Sequence, residues 1–424
     1  MFVKLSWQHI LQNLCRRISM SGKSSYLCFV VFMFTLGTAA ANSYTEGGVK
    51  FSIDANLPGG NIIVEKIDGS DIYLTQDLRD TEGWWFYWKF RVVGAAGRKL
   101  NFHFAEPSPI GVRGPAFSKD GGLKWFWLGS NKVKDSSFSY DFDAGEEDVR
   151  FCFTIPYQDK DLQLFLKSVM PNPNLTVEEH SRTKAGRVVQ RLLLGKINGE
   201  PKYRVLLTCR HHACEAMASF ALEGMMEHIL TDPEDSRWFC DNIEVMAIPF
   251  MDMDGVEAGD QGKNRKPRDH NRDYQGRSVY SSVRQLRNQI PAWSGEKLKV
   301  ALDLHCPYIR GDDHEKIYLV GSSNTKIWLQ QTRFSSIFES VRKGPLEHKP
   351  SDNMPFGQAW NTGKNYSSGK SFSRWASELE GMKLASTIEI PYATVRTAPV
   401  TSESARALGC DLARTLRKYL ESLH

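Results

Sequence analysis

The sequence predicts an α/β protein: a mixed, mostly parallel sheet flanked by helices, preceded by an antiparallel β-sandwich. Two observations carry this. Before Pro171, short runs alternate apolar and polar residues and are separated by glycine-rich turns, the pattern of half-buried strands. After about Val177, short apolar runs alternate with longer helical stretches, which implies a sheet covered by helices. A third observation concerns placement. His212, His305 and Glu389 fall at or near the ends of predicted strands, where catalytic groups gather in open α/β sheets.

In the first part, Phe86, Trp88, Phe90 and Val92 alternate with Tyr87, Lys89 and Arg91, and Leu100, Phe102 and Phe104 repeat the pattern. Gly94-Ala95-Ala96-Gly97 and Asp120-Gly121-Gly122 are turn signals between such runs. The cluster Trp84 to Trp88 reads as core aromatics or as a carbohydrate platform. In the second part, strands are expected at Val205–Thr208, Ile243–Pro249, Lys299–Leu304, Ile317–Val320 and Thr387–Ile390. An amphipathic helix is expected over Glu215–Leu230, and a C-terminal helix over Ser402–Leu423 with Ser402 as its cap. The expected divisions are residues 1–41, 42–168 and 169–424.

At 424 residues, with 41% hydrophobic and 24% charged residues, the chain has ordinary globular composition. Four of the basic residues behind its net charge of +5, Lys4, Arg16, Arg17 and Lys23, lie in an N-terminal stretch without acids, leaving +1 for the rest. No nucleic-acid partner is expected from so neutral a chain. Basic residues, the apolar run Tyr26–Leu36 and the small residues Ala39-Ala40-Ala41 read as an export signal. The expectation is a secreted or periplasmic protein. The run is shorter than the roughly 20 residues a span requires, so no stable membrane insertion is expected after signal cleavage. Six cysteines, Cys152, Cys209, Cys214, Cys240, Cys306 and Cys410, would remain. They permit disulfides without demanding them.

The chemistry begins at His212-Ala213-Cys214-Glu215, an H-x-x-E pair at a strand-to-helix junction. Its imidazole and carboxylate can face one ion, and N and O donors suit Zn²⁺. His305 ends the apolar run Val300–Leu304. As a third ligand it would complete a two-His, one-carboxylate site with room for water, whose pKa zinc would lower. Each residue also has a plainer reading, a surface His beside a helix-start Glu or a satisfied strand-end His. Glu389 sits inside the apolar run Ser386–Pro391. A carboxylate there must be paired, protonated or beside a metal, so it is a candidate general base. Asn271-Arg272 closes the basic loop Gly262–Tyr274. Arg grips carboxylates through a planar fork and Asn adds a directional donor; a solvated charged loop is the other reading.

In joint order, His212/Glu215, Asn271/Arg272, His305 and Glu389 resemble the zinc carboxypeptidase family, the metallocarboxypeptidases of the funnelin type. Asp252-Met253-Asp254-Gly255 resembles that family's Asn-Pro-Asp-Gly turn, departing at Asp252-Met253. The preceding β region, with Gly111–Pro115 and Phe153–Tyr157, looks like the N-terminal sandwich of the cytosolic-type subfamily. The resemblance implies one Zn²⁺ per chain held by His212, Glu215 and His305, with Glu389 moving protons. It implies that Asn271 and Arg272 grip the terminal carboxylate of a peptide or protein C-terminus. It further implies an oxyanion-steadying arginine, Arg265 or its rival Arg268, and a substrate-closing tyrosine, Tyr366. A side-chain-reading cation, Arg374 or Lys370, would favour acidic C-terminal residues. A zinc amidohydrolase acting on acylated amino acids or peptidoglycan peptides, and a noncatalytic ligand-binding protein, are the alternatives.

Overall fold

In a computed structural model, residues 42–46 and 49–423 are described, and the expected export segment lies outside them. Eleven strands come first: β1 (Asn42–Glu46), β2 (Val49–Asp54), β3 (Ile63–Asp68), β4 (Asp71–Thr75), β5 (Lys89–Val93), β6 (Lys99–Phe104), β7 (Ala116–Ser118), β8 (Phe126–Trp127), β9 (Val133–Lys134), β10 (Ser137–Asp141) and β11 (Asp148–Cys152). They form two sheets, ordered β1-β2-β5-β11-β7-β8 and β3-β4-β6-β10-β9. Pairing is antiparallel except between β4 and β6. Period-two burial drives it: Leu100, Phe102 and Phe104 of β6 are buried. The Phe102 ring meets Phe90, Phe138 and Phe151, with Phe102 and Phe138 centroids 4.7 Å apart, and the Phe104 ring meets Trp88. Such a pair adds about 0.5–1.5 kcal/mol beyond its buried area.

The expected strand Phe86–Val92 begins only at Lys89. Residues 86–88 lie outside any strand, and their side chains are all core. Tyr87 and Lys89, expected on the polar face, are buried as well. The Lys89 ammonium donates to Pro58 O at 2.9 Å and Gln158 Oε1 at 2.7 Å.

After helix α1 (Asp159–Val169) come β12 (Leu175–Arg182), β13 (Val188–Gly195), β14 (Tyr203–Cys209), β15 (Ile243–Ile248), β16 (Leu298–His305), β17 (Tyr318–Val320) and β18 (Leu384–Glu389). They build one sheet in the order β12-β13-β15-β14-β16-β18-β17. The central strands β15, β14, β16 and β18 run parallel; β12, β13 and β17 join antiparallel. The sheet is therefore mixed, with a parallel heart. The parallel strands are apolar without alternation because both faces are covered.

Helices α2 (Ala216–Thr231), α3 (Ser236–Asn242), α4 (Met253–Ala258), α5 (Ser281–Ser294), α6 (Thr325–Val341), α7 (Phe372–Ala376) and α8 (Ser402–Glu421) connect and flank the strands. Helix α2 is buried almost all round rather than amphipathic. It lies between the sheet and α8, so its outer face meets a helix and not water. The cap of α8 is Thr401, not Ser402: Thr401 Oγ1 accepts from Ser404 N at 3.1 Å, and Ser404 Oγ accepts from Thr401 N at 2.8 Å. One connected apolar core runs through both parts of the described chain.

Burial lowers the Lys89 pKa to about 8 from its usual 10.5. The folded protein thus holds fewer protons than the unfolded chain between these values, and stability rises with pH there. Below pH 8 the buried cation is a standing penalty. Lys89→Met should remove that pH dependence. The stability of the parent relative to the variant should climb by about 2–3 kcal/mol from pH 7 to pH 10, read by urea unfolding. A pH-independent difference would contradict the buried-cation account.

Candidate active site

The carboxyl ends of β14, β16 and β18 open into a cavity of about 400 Å³. Parallel register sets His305 directly beside Glu389. Beyond β14, Arg210 adopts a left-handed conformation, φ 59°. Its buried guanidinium donates to Tyr157 O at 2.8 Å and Ser219 Oγ at 3.1 Å. This turns the chain so that His211 and His212 follow the strand and Glu215 enters α2 from its N-terminal end.

His212, Glu215 and His305 come together, all buried, with donor atoms within 4.8 Å of one another. His212 Nδ1 lies 2.9 Å from Glu215 Oε1 and 3.1 Å from His305 Nδ1. His305 Nδ1 lies 2.7 Å from Glu215 Oε2, an oxygen without a hydrogen-bond donor. The far nitrogens are occupied: His305 Nε2 meets Asp303 Oδ2 at 2.6 Å and His212 Nε2 meets Asp269 Oδ1 at 3.2 Å. Carboxylates that take up the far N–H of a histidine leave the near nitrogen as a lone pair and orient it, as in metal sites. Two such lone pairs and a carboxylate facing one point call for a cation between them, so this donor set fits Zn²⁺. His211 is excluded, because Asp303 Oδ1 at 2.8 Å and Tyr274 Oη at 2.7 Å occupy both of its nitrogens. Cys209, Cys214 and Cys306 are free buried thiols. Burial pushes Cys209 and Cys214 up to about 12, and among the described residues no cysteine joins a ligand cluster.

Charge within the cluster is held by mutual compensation. Burial opposes ionisation of Glu215, but Lys263, His212 and His305 outweigh it and keep the carboxyl well below its usual range. Glu389 goes the other way. Burial raises it, the neighbouring Glu215 adds to this, and its Oε2 has no hydrogen-bond partner. An acid raised in this manner beside a cavity is a proton-transfer group in chemical type.

Asn271 and Arg272 line the same cavity. Asn271 Oδ1 accepts from Phe372 N at 2.8 Å, which fixes the amide and leaves Nδ2 on the His305 side, 3.2 Å from its ring. Arg272 donates to Asn365 O at 3.1 Å and Asn271 O at 2.8 Å. It has no carboxylate partner within 4 Å among the described residues. Tyr366 also lines the cavity. Its ring centroid is 5.0 Å from the Arg272 guanidinium and 5.1 Å from that of Arg374. Arg374 itself is exposed and lines a small separate pocket that shares Tyr366 with the main cavity. Lys370 is paired at 2.6 Å with Glu378.

Neither arginine expected to steady an oxyanion reaches the cavity. Arg265 is caged by Asp252 at 2.7 Å, Asp260 at 2.8 Å and Asp80 at 3.6 Å. Arg268 is tied to Asp273 at 2.9 Å and to the Arg277 carbonyl. The cavity instead takes Lys263, whose Nζ lies 2.8 Å from Glu215 Oε1. Sequence reasoning also passed over Trp85 as a cavity wall, and Tyr308, His314, Tyr318 and Trp360. Tyr318 falls within the expected strand Ile317–Val320, but only its pairing with Glu389 in the folded sheet brings it to the cavity.

The family profile described as zinc carboxypeptidase matches residues 164–296, which include His212, Glu215, Asn271 and Arg272. Over those residues the chain is similar to the zinc carboxypeptidase family. Cytosolic carboxypeptidase 2 of Homo sapiens is 27% identical over 210 residues, 46% of this chain and 22% of the relative. Cytosolic carboxypeptidase 3 of Mus musculus is 26% identical over 289 residues, 59% of this chain and 28% of the relative. The chain thus spans about a quarter of the length of these relatives. In fold it is similar to a metallo-carboxypeptidase from Burkholderia cenocepacia, with TM-score 0.73 and 22% identity over 88% of this chain and all of that one. A Pseudomonas aeruginosa metallo-carboxypeptidase in complex with (2-guanidinoethylmercapto)succinic acid gives TM-score 0.70 and 19% identity over 88% and 100%. These relatives correct one expectation. Secretion or periplasmic export was read from the N-terminal segment, yet the curated relatives are cytosolic carboxypeptidases. Among the described residues no helix is long and apolar enough to cross a membrane.

Elemental analysis should find one zinc per chain. His212→Ala and His305→Ala should empty the site, whereas His211→Ala should retain the metal. Asp269→Asn should weaken metal binding by about 10–100-fold. Full zinc retention in both ligand variants would remove the assignment.

Proposed function

We propose that this protein is a zinc-dependent carboxypeptidase that removes single residues from peptide C-termini, with residues 169–424 as the catalytic domain and one Zn²⁺ held by His212, Glu215 and His305. One observation carries the reading. An arginine without a carboxylate partner, Arg272, and a buried acid with raised pKa, Glu389, share one cavity with the candidate ligand set. A free peptide carboxylate is the natural counter-ion for that guanidinium, and a bidentate contact gives it direction as well as energy. Asn271, its amide already oriented by Phe372 N–H, adds a second donor. Anchoring the terminal carboxylate there brings the last peptide bond toward the ligand set, which limits cleavage to one residue.

A bound zinc would polarise the scissile carbonyl and lower the pKa of water. Glu389, which lines the cavity, accepts the proton of the attacking water. It then returns that proton to the leaving amine. Tyr366, beside Arg272, covers the bound end of the substrate. Acidic C-terminal residues are favoured in this reading, because the two guanidiniums flanking Tyr366 place positive charge beside the pocket.

Glu389→Gln should keep zinc and thermal stability while losing about 10²–10⁴ in turnover; undiminished turnover would move the proton transfer elsewhere. Arg272→Ala should cost about 2–5 kcal/mol in kcat/KM on free-acid peptides. C-terminal amidation should cripple cleavage by the parent protein, and equal cleavage of amidated and free peptides would overturn the exopeptidase reading. Peptides differing only in a terminal Glu, Leu or Lys should rank Glu first, and Arg374→Ala should flatten the ranking. A preference for Leu or Lys would discard the acidic pocket alone.

A further inference from the structure

The proposed reaction puts negative charge on the carbonyl oxygen, and a preorganised donor there is commonly worth about 10²–10³ in kcat. The cavity-lining side chains include two that carry a permanent positive charge, Arg272 and Lys263. Arg272 is committed to the terminal carboxylate in the proposed function. Arg265 and Arg268 are sequestered by Asp80, Asp252, Asp260 and Asp273. We infer that Lys263 is a catalytic residue of this site, its ammonium donating to the oxyanion of the tetrahedral intermediate.

The geometry around Lys263 is built rather than incidental. Its Nζ is 2.8 Å from Glu215 Oε1, at the edge of the ligand cluster, with 19% of the side chain exposed. The backbone beneath it is clamped by the N-terminal β region. Asp80 Oδ1 accepts from Gln261 N at 3.0 Å and Asp80 Oδ2 from Gly262 N at 2.9 Å, while Thr81 Oγ1 donates to Lys263 O at 2.5 Å. Gly262 has φ 79°, and a Cβ there would stand 2.1 Å from Ala213 N. Only glycine lets this loop lie on the His212–Ala213 turn and deliver the next side chain into the cavity. The Trp85 ring, from the same β region, lies 5.8 Å from Nζ and walls that side. A long, flexible ammonium suits a position where a point charge must follow a moving oxygen, whereas a fork suits a fixed carboxylate.

The step balances without a further reagent. The water oxygen bonds to the carbonyl carbon, the C=O π pair moves onto oxygen, and the water proton passes to Glu389. Lys263 stays protonated throughout and donates a hydrogen bond. On collapse the C–N bond breaks and the amine takes the proton from Glu389.

This inference rests on the carboxypeptidase reading, and the experiment separates the two. Zinc-loaded parent, Lys263→Met and Lys263→Arg are compared on a blocked dipeptide with a free carboxylate. Zinc content, melting temperature, and calorimetric binding of a phosphonate peptide and of a free-acid cleavage product are measured alongside. Lys263→Met should keep zinc and lose about 100-fold or more in kcat, with KM within about 3-fold. Its affinity for the phosphonate, a tetrahedral anion, should fall by a similar factor, with product affinity little changed. Lys263→Arg should recover at least about 10-fold of the loss. Three results would overturn the inference: turnover of the Met variant within about 3-fold of parent, loss of its zinc, or equal loss of phosphonate and product affinity. A parent that cleaves no free-acid peptide would instead remove the functional reading.

Discussion

Burying Glu215 without losing its charge is the constraint on which the rest of the site depends. The residue has no exposed surface, and an isolated carboxylate in such a place would protonate or unfold its surroundings. It stays ionised because His212, His305 and Lys263 converge on its two oxygens. Each partner is then held from behind: His212 by Asp269, His305 by Asp303, Lys263 through its backbone by Thr81. The chain of dependence runs outward from one carboxylate to strand β16, which carries His305 and Asp303, and to the loop residues His212, Lys263, Asp269 and Thr81. The same network would favour a dication at its centre, where two imidazole lone pairs and a carboxylate converge.

The parallel heart of the sheet makes this convergence possible. Neighbouring parallel strands end on the same side, so β14, β16 and β18 deliver their following residues to one place. Antiparallel additions at β13 and β17 widen the sheet without covering that edge. Glu389 is the last residue of its strand and ladders with both His305 and Tyr318. Its raised pKa follows from position: a strand end deep enough to be dry, beside a second carboxylate, with nothing donating to Oε2.

The N-terminal sheets serve this edge directly. The segment from Asp77 to Tyr87 meets the loop around Gln261 through paired backbone and side-chain bonds. Asp80 caps two of its amides, Gln261 spans to both Tyr87 backbone groups, and Arg79 reaches Asp260. A loop carrying Lys263, Arg265, Lys266, Arg268 and Arg272 would repel itself in isolation. Here Arg265 alone absorbs three carboxylates, one of them from the β region. The β region is thus part of the cavity wall, to which it contributes Trp85.

The sequence by itself determined the fold class and singled out the strand-end candidates that the structure brings together. His212, Glu215, His305 and Glu389 sit at positions dictated by apolar runs and by short spacing, and local periodicity is a local property of the chain. The two-sheet first part was legible for the same reason, apart from Lys89, whose charge argued for an outward position that tertiary hydrogen bonds reversed. Only the tertiary structure decided which cations of the basic loop face the cavity. Five basic residues lie within ten positions, and nothing in their order separates Lys263 from Arg265. The choice depends on Asp252 and Asp260, upstream in the same part of the chain, and on Asp80, which reaches the loop from the N-terminal β region only after folding. Arg265, with its larger fork, is drawn to the three of them, and Lys263 is left to the cavity.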